Sequence, residues 1–396
     1  AGADLCASWD GYMPGWGEPG YWQYANATID NLTQLVVAGN FTSLEQFESL
    51  SKTALQDCFA EAVRVWLLAL VSPYPAVKGF ENYMPSVLGL ETPSGVKFAY
   101  VQGKNSLTVG MFHVTQGSWS PIGWLISLDA YTADDVQGWL FDPFAASDLF
   151  SGKPVPYRGS WSVQLSPNAS AIYPVPPTAV VWNATLGKWV QVGPGLKAKA
   201  VIRYYYNGTW LGTNWQNGQP ITMADVLMYW YLLFDLAQGA PDFGPNANKT
   251  GDLRGALQPT VSTIVGVQFF PNGTVVVYSN YWFPDPDYVA ANYAPGISWS
   301  VPWEIYAAMF QAFKDGKLAF TKPEAKAMKI PQMNLAVKDS AQVLASYLSD
   351  WAKTGLIWDN GSWACVPGVG CFVDASQAVQ AYRAALDFYN AYGHLF

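Results

Sequence analysis

Apolar residues recur at helical spacing in the first part of the chain. Thr42 and Glu45, three positions apart, have the spacing of a capping box at the start of this pattern. The spacing predicts a helix from about residue 42 to about Leu70, whereas the aromatic, glycine-rich residues 1–41 are predicted to form loops. The apolar positions that define the helix are Leu44, Phe47, Leu50, Leu55, Cys58, Phe59, Ala62 and Trp66.

From Gly95 the apolar period changes from about 3.6 to two, which is typical of strands. A hairpin is also predicted over residues 263–280, where two apolar runs are joined by Pro271, Asn272 and Gly273. The other predicted strand segments are residues 96–103, 106–114, 179–192 and 198–210, the last two being hairpins with Gly or Asn-Gly turns.

Helical spacing returns near Met223 and dominates the last hundred residues. Thr222 and Asp225 have the spacing of an N-terminal cap, after an Asn217-Gly218 turn and Pro220. Strands and helices thus mix without regular alternation or an internal repeat, which predicts an α/β fold of mixed α+β type, not a barrel or solenoid. The later helices are predicted over residues 303–315, 323–328, 340–353 and 375–392.

Composition narrows the class of protein. The 396 residues suffice for two or three domains, and the net charge of −8 argues against a nucleic-acid partner or an anionic membrane surface. The chain has 19 Trp, 23 Tyr and 20 Phe against 21 Lys plus Arg. Tryptophan at this density is typical of proteins that bind sugars or peptides against flat aromatic rings. The most apolar run, residues 62–71, is too short to span a bilayer. We interpret both termini as processed or cut.

Sequons and cysteines indicate an extracellular glycoprotein. Two disulfides are predicted, Cys365–Cys371 around a short loop and Cys6–Cys58, with four buried free thiols as the alternative. Half of the 18 asparagines lie in N-x-S/T sequons, far above the chance rate. The sequon asparagines are Asn26, Asn31, Asn40, Asn168, Asn183, Asn207, Asn248, Asn272 and Asn360.

Catalytic signatures are missing from the sequence. His113 and His394 have no second metal ligand at helical or turn spacing. The sequence also contains no nucleophile elbow, zinc motif or phosphate loop. We therefore expect no metal site, no cofactor and no enzymatic activity. Paired carboxylates could serve a glycosidase. They occur at residues 134–135 and at Asp285 and Asp287, but we interpret the second pair as a proline-stiffened turn that caps the next helix.

The segment "WQNGQPITMADV" carries a family resemblance. It resembles the W-x-D-G-x-P-x-T-A-x-D-V signature of extracellular solute-binding proteins of the peptide class, family 5, which serve ABC importers, and the closing residues 388–396 resemble archaeal-type members of that family. It departs from the pattern at Asn217 and at Met223-Ala224. Residues 14–32, 105–124, 267–295 and 388–396 are also similar to segments of this family. The matching signature residues are Trp215, Gly218, Pro220, Thr222, Asp225 and Val226.

The resemblance implies a periplasmic-binding-protein-like type II fold, with two lobes joined by a hinge. Residues 1–104 resemble a late, ligand-proximal part of such receptors, and residues 105–396 resemble the N-terminal lobe and the start of the second. Because this order is reversed in the chain, the protein is either a rearranged variant or a piece completed by a second polypeptide. The implied function is capture of an oligopeptide or oligosaccharide for a membrane ABC permease. The alternatives are a secreted hydrolase, protease or glycosidase, and a structural surface glycoprotein.

Ligand contacts are predicted in aromatic loops, whereas the signature itself is expected to be structural. Asp10 is similar in position to an acidic residue that pairs with the terminal amine of peptide ligands in relatives. For each tryptophan the alternative is ordinary core packing. The predicted ligand-binding residues are Trp9, Asp10, Trp16, Trp22, Trp119, Trp282 and Trp299.

Overall fold

The computed structural model describes residues 26–37, 39–62, 74–84, 95–110, 118–126, 138–247, 249–295 and 299–395. Helix and sheet are mixed, with 40% of residues helical and 18% in strands, which confirms the predicted α/β class. The helices are α1 (Ala27–Val37), α2 (Leu44–Glu61), α3 (Gly138–Leu140), α4 (Met223–Ala237), α5 (Gly251–Val261), α6 (Pro286–Ala291), α7 (Trp303–Lys314), α8 (Lys322–Met328), α9 (Lys338–Thr354) and α10 (Ala375–Tyr392).

Among the described residues, eleven strands precede α4 and four follow it. They are β1 (Phe80–Glu81), β2 (Tyr100–Val101), β3 (Ala145–Ser147), β4 (Pro154–Pro156), β5 (Ser160–Leu165), β6 (Tyr173–Pro174), β7 (Val180–Asn183), β8 (Lys188–Gln191), β9 (Lys197–Ala198), β10 (Ala200–Tyr205), β11 (Asn207–Thr213), β12 (Ile264–Phe270), β13 (Thr274–Ser279), β14 (Cys365–Val366) and β15 (Gly370–Cys371).

Six strands form one antiparallel sheet in the order β5-β10-β13-β12-β7-β8. The predicted hairpin over residues 263–280 is confirmed as β12 and β13, and the hairpin over residues 179–192 as β7 and β8. In the second hairpin Trp182 lies opposite Trp189, with the rings edge to face at 5.6 Å. Such aromatic cross-strand pairs stabilise an antiparallel register.

Helix α4 forms the centre of the core. All 15 of its residues are buried, because β7 lies against it on one side and α5 and α7 contact it on others. A helix that is apolar over its whole circumference requires such enclosure. Each fully buried Leu or Phe side chain stabilises the fold by about 1.5–3 kcal/mol relative to exposure. The predicted start at Met223 is confirmed.

The last hundred residues form a helical layer beside this core. Helix α9 packs on α10, and both contact α7. Helix α10 begins with a capping box of Asp374 and Gln377 and ends at Gly393. Within the described residues, all four predicted helices of this region are confirmed, with boundaries shifted by two residues at most.

The prediction for α2 is correct in type and wrong in its bounds. Ser43, not Thr42, is the N-cap, and its hydroxyl accepts from Gln46 N at 3.1 Å. Gln46 Oε1 in turn accepts from Thr42 N at 2.8 Å. The helix ends at Glu61, before the predicted Leu70, because Ala62 adopts the left-handed conformation with φ of 48°. Residues 106–110 form no strand; most are exposed and do not pair with a described strand.

The described parts of residues 1–104 and 105–396 contact each other at two places. Phe41 and Phe47 pack with Trp282 and Phe283 in one aromatic cluster. Lys97 forms an ion pair with Asp142. The proposed domain boundary between residues 104 and 105 is therefore crossed by both an apolar and a charged contact.

Candidate functional site

The signature segment forms a tight turn between β11 and α4. Trp215 N donates to Gln219 O at 2.8 Å, and Gly218 N donates to Trp215 O at 2.9 Å. Gly218 has φ of 83°, a backbone conformation that residues with a Cβ rarely adopt. Asn217 Oδ1 accepts from Gln219 N at 3.1 Å, so the asparagine side chain closes this turn.

Hydrogen bonds of the Asp225 side chain connect this turn to helices α4 and α7. Its Oδ2 accepts from Thr222 N at 2.7 Å and completes the predicted capping box of α4. Its Oδ1 accepts from Trp215 Nε1 at 3.2 Å and from Trp303 N at 3.0 Å, the first residue of α7. The carboxyl is 1% exposed. Burial raises the pKa of Asp225 to about 6, although these hydrogen bonds act to lower it.

Three indoles lie beside Asp225. Trp210 and Trp299 are stacked face to face, with centroids 3.9 Å apart and planes 4° apart. Trp215 meets both edge-on at 6.4 Å. Trp299 Nε1 donates to Asp225 O at 3.1 Å. The indole cluster of Trp210, Trp215 and Trp299 is therefore anchored on the first turn of α4.

The indole cluster forms one wall of a cavity of about 330 Å³. The signature turn, the start of α7, the end of α10 and the segment around Asp142 supply the other walls, so residues distant in sequence meet here. The lining residues are aromatic (Phe141, Trp210, Trp215, Trp299, Phe388), aliphatic (Leu140, Ile221, Val301, Pro302, Ile305, Ala385, Leu395), polar (Thr213, Asn214, Gln216, Asn217, Ser300) and charged (Asp142, Arg158).

The two charged residues of the cavity wall, Asp142 and Arg158, form an ion cluster with Lys97. Arg158 Nε donates to Asp142 Oδ2 at 2.8 Å, and Lys97 pairs with the other carboxylate oxygen. Lys97 Nζ also donates to Phe141 O at 2.7 Å. Burial acts to raise the pKa of Asp142, but the two cations hold it below its usual range. Asp142 is therefore ionised at neutral pH.

A second buried carboxyl lies behind the cavity. Glu304 on α7 is 0% exposed, and its Oε1 accepts from Gln219 Nε2 at 2.7 Å. Gln219 Nε2 also donates to Ala381 O on α10 at 3.1 Å. Burial, with a smaller contribution from the charge of Asp225, raises the pKa of Glu304 to about 8. The side chain is therefore mainly protonated at neutral pH.

The structure brings one predicted ligand residue to the cavity and places two elsewhere. Trp299 lines the cavity. Trp282 is 4% exposed, donates to Ser166 O at 2.7 Å and packs on Phe41 outside the lining. Trp119 is half-buried and meets Phe141 edge-on at 6.1 Å, also outside it. The predictions for residues 9, 10, 16 and 22 (Trp9, Asp10, Trp16 and Trp22) fall outside the described residues.

The sequence predicts a structural role for the signature, with ligand contacts elsewhere. Thr222 and Asp225 form the cap of α4, whereas Trp215 both donates to Asp225 and lines the cavity. Pro220 pairs with Asn214 in an isolated antiparallel bridge, and Val226 is fully buried. The segment thus combines a folding role with a place in the wall of the cavity.

Sequence reasoning missed Trp210, Asp142, Arg158 and Glu304. Trp210 lies in β11, two positions after the Asn207-Gly208 pair, which is a readable turn signal near this aromatic residue. Asp142 and Arg158 lie 16 positions apart in loops and carry no motif. Their pairing arises from the β3–β4 hairpin, which returns the chain to the same place.

One of the two predicted disulfides lies within the described residues. Cys365 and Cys371 form the predicted disulfide and pair in register between β14 and β15. Cys58 is buried on α2, and Cys6 lies outside the described residues, so the Cys6–Cys58 pairing stays a prediction.

Within the described residues, no group of three His, Cys, Asp or Glu could hold a metal ion. None of the described helices has the length and apolarity to cross a bilayer.

Asp285 and Asp287 confirm the helix-capping interpretation of their segment. Asp285 is the N-cap of α6 and accepts from Asp287 N at 3.0 Å. Lys153 Nζ lies 2.9 Å from a carboxylate oxygen of each. The pair therefore holds the β3–β4 hairpin on α6.

In comparisons with known proteins, no family model and no curated protein sequence matches the chain.

Proposed function

We propose that this protein is the extracellular substrate-binding component of an ABC importer and captures oligopeptides or oligosaccharides by closure of two lobes. The observation that carries the proposal is the cavity at the signature turn, which is walled by the indole cluster. Rigid aromatic walls with a few polar groups are typical of sites that hold a small organic ligand.

The size of the cavity suits one unit of an oligomer. Its volume of about 330 Å³ lies at the lower end of the roughly 300–1,000 Å³ range of small-molecule sites. Indole faces suit both sugar rings and apolar peptide side chains. Asn214, Gln216 and Asn217 supply amide groups to the same cavity lining. The remaining units of a captured oligomer would extend beyond this cavity.

The placement of carboxylates favours binding over hydrolysis. Asp142 is the single carboxylate among the described residues that line the cavity, and Lys97 and Arg158 already neutralise it. A glycosidase requires two accessible carboxyl groups across the scissile bond. Asp225 and Glu304 have raised pKa values, but both are buried behind the wall and hold the fold together. We therefore propose a binding protein without catalytic turnover.

An extracellular location is part of the proposal. The disulfide between Cys365 and Cys371 fits an oxidising compartment. Most described sequon asparagines have accessible side chains, as glycan attachment requires. The exposed ones are Asn31, Asn40, Asn168, Asn207, Asn272 and Asn360. A membrane permease and a second polypeptide that completes the fold are the partners we propose.

Calorimetric titration with a panel of oligopeptides and oligosaccharides tests the function. Leu140 lines the cavity and is 64% exposed, so Leu140→Trp fills space without disturbing the core. Phe150→Trp is the matched control, since Phe150 is 92% exposed and lies outside the lining. We expect stoichiometric binding of at least one ligand, a tenfold or greater loss of affinity in Leu140→Trp, and no loss in Phe150→Trp.

Two results would contradict the proposal. One is the absence of heat with every member of the panel. The other is equal affinity of wild-type protein and Leu140→Trp, which would place the ligand away from the cavity. Small-angle scattering with the bound ligand tests lobe closure separately, because closure reduces the radius of gyration.

A further inference from the structure

Two of the nine sequons share one pattern of residues. Asn207 and Asn272 each begin an Asn-Gly-Thr sequon, and an aromatic residue stands two positions before each asparagine, in "YYNGT" and "FPNGT". These aromatic residues are Tyr205, the last residue of β10, and Phe270, the last residue of β12. Each segment therefore combines an aromatic strand end with a possible site of glycan attachment.

The fold brings both segments to one end of the central sheet. Tyr205 and Phe270 each lie opposite Thr274 of β13, on its two sides. Residues that lie opposite each other on antiparallel strands have side chains on the same face, so the two rings flank this threonine on one face of the sheet. A Cβ atom added at Gly273 would lie 3.2 Å from Asn207 Cβ, so the two sequons adjoin each other.

Both aromatic rings are accessible to solvent. Tyr205 is 37% exposed and Phe270 is 38% exposed. Within the described residues, neither ring packs against another aromatic ring. A hydrogen bond at 3.1 Å between the hydroxyl groups of Tyr205 and Ser162 restrains the first ring. Two aromatic faces are therefore available beside the two sequons.

The amide groups of both asparagines are accessible too. Asn207 and Asn272 are exposed, and their Nδ2 atoms donate no hydrogen bond within the described part of the chain. Asn272 Oδ1 accepts from Thr274 N at 3.2 Å, so the turn uses the oxygen of this amide and not its nitrogen. At another sequon, by contrast, Asn26 Nδ2 donates to Glu61 Oε1 at 3.2 Å. The nitrogen that a glycan modifies is thus not used by the fold at either turn.

We propose that Asn207 and Asn272 carry N-linked glycans, and that the first sugar of each glycan packs on the ring two residues earlier, Tyr205 or Phe270. Sugar rings have apolar faces of C–H groups, which suit flat aromatic rings. This inference goes beyond the receptor proposal. It shares with that proposal the extracellular location and requires no captured ligand.

The attachment step needs a lipid-phosphate-linked oligosaccharide and the transferase of a secretory compartment. The asparagine Nδ2 attacks C1 of the first sugar, and a bond between nitrogen and C1 replaces the bond between C1 and the phosphate oxygen. The lipid phosphate leaves with the bonding electron pair, and the amide nitrogen loses one proton to a base of the transferase.

A thermodynamic cycle tests the contact between ring and sugar. The full chain is secreted from a eukaryotic host, and glycopeptide mass spectrometry measures occupancy, which we expect at both asparagines. Urea denaturation is then measured with intact glycans, with one sugar left at each site, and after complete removal. Complete removal should raise the equilibrium constant for unfolding about three- to tenfold more in the wild-type protein than in Phe270→Ala or Tyr205→Ala, the size of one aromatic contact. Trimming to one sugar should preserve this difference.

Two further variants are controls for the cycle. Phe150 is 92% exposed, and no sequon begins two positions after it, so Phe150→Ala should respond to glycan removal as the wild-type protein does. Phe270→Tyr retains an aromatic ring and should retain most of the difference. Because the other glycans are removed alike from every variant, their effects cancel in the comparison.

The possible failures are distinct from failure of the receptor proposal. Absence of a glycan at either asparagine overturns this inference. An equal response to glycan removal in the wild-type protein and in either alanine variant also overturns it, because the ring and the sugar would then not be in contact. A difference that disappears on trimming to one sugar overturns the role of the first sugar. The ligand panel decides the receptor proposal separately.

Discussion

At the scale of single residues, Asp225 and Glu304 are the most consequential polar groups. Each is fully buried, and each connects segments that are distant in sequence: Asp225 joins the signature turn, α4 and α7, and Glu304 joins that turn to α7. Transferring an ionised carboxylate from water to the protein interior costs free energy unless hydrogen bonds compensate. Burial therefore raises the pKa of both side chains. Glu304 Oε2 has no partner among the described residues, which increases that preference.

The raised pKa of Glu304 predicts a loss of stability as pH rises. Its folded pKa of about 8 exceeds the reference value of 4.5, so the folded state retains a proton that the unfolded chain releases. The free energy of unfolding should fall between pH 4.5 and 8, by up to about 1.4 kcal/mol per pH unit. Asp225, with a pKa of about 6, acts in the same direction at lower pH.

Urea denaturation from pH 5 to 9 measures this dependence. Glu304→Gln keeps an acceptor for Gln219 and cannot ionise, so we expect a much flatter profile between pH 6 and 8. Glu45→Gln, at an exposed position on α2, should leave the wild-type profile unchanged. A profile of Glu304→Gln parallel to that of the wild-type protein would show that another group carries the pH dependence.

At the scale of elements, the cap of α4 determines how the core helix enters the molecule. Thr222 Oγ1 accepts from Ala224 N at 3.3 Å, and Asp225 closes the box. Loss of such a cap costs about 1 kcal/mol, within a range of about 0.5–2. We expect Thr222→Ala to lower the free energy of unfolding by about 1 kcal/mol in urea denaturation.

Thr222→Ser is the matched control, since serine retains the hydroxyl that caps the helix. It should lie close to the wild-type protein. If Thr222→Ser destabilised as much as Thr222→Ala, the methyl group and its packing would be the cause, not the cap. The start of α4 would then depend mainly on burial of its aromatic residues.

The sequence predicted elements well where local chemistry and apolar period agree. The hairpin at Pro271, Asn272 and Gly273, the cap at Thr222 and the helices after residue 303 combine a clear period with a turn or cap. Prediction was wrong over residues 27–37, which are predicted to form loops and form helix α1, and at the end of α2, where the signal was only the period. The helix from residue 44 stops at Glu61 because Ala62 turns left-handed, although apolar spacing continues to Trp66.

The candidate site was less accessible to sequence analysis than the elements. Trp215 could be identified because it lies in a motif, and Trp299 because it lies in a proline- and glycine-rich loop. Arg158 and Asp142 meet only through the folding of a hairpin, and the orphan N–H of Trp210 follows from its burial against Trp299. Such properties depend on tertiary contacts, which spacing along the chain does not encode.

At the scale of the whole molecule, a small apolar cluster joins the described part of the first two helices to the segment after β13. Helices α1 and α2 pack on each other, and the segment between them inserts Phe41 beside Trp282 and Phe283. Phe41 is 2% exposed, but most residues of α2 are half-buried or exposed. A unit held by a small apolar cluster opens at lower free energy than the central core.

Phe41→Ala should therefore loosen the helical pair while leaving the core intact. Truncation of a buried phenylalanine costs about 3–5 kcal/mol of stability. Here the packing lost is mainly the contact of Phe41 with Trp282 and Phe283. In hydrogen exchange measured by mass spectrometry, peptides of α1 and α2 should exchange at least tenfold faster, and peptides of α9 and α10 should keep their wild-type rates. Leu44→Ala, at a site 50% exposed on α2, should change neither set. Equal acceleration in all four helices would mean that residues 26–62 unfold together with the sheet and the C-terminal helices, as one cooperative unit.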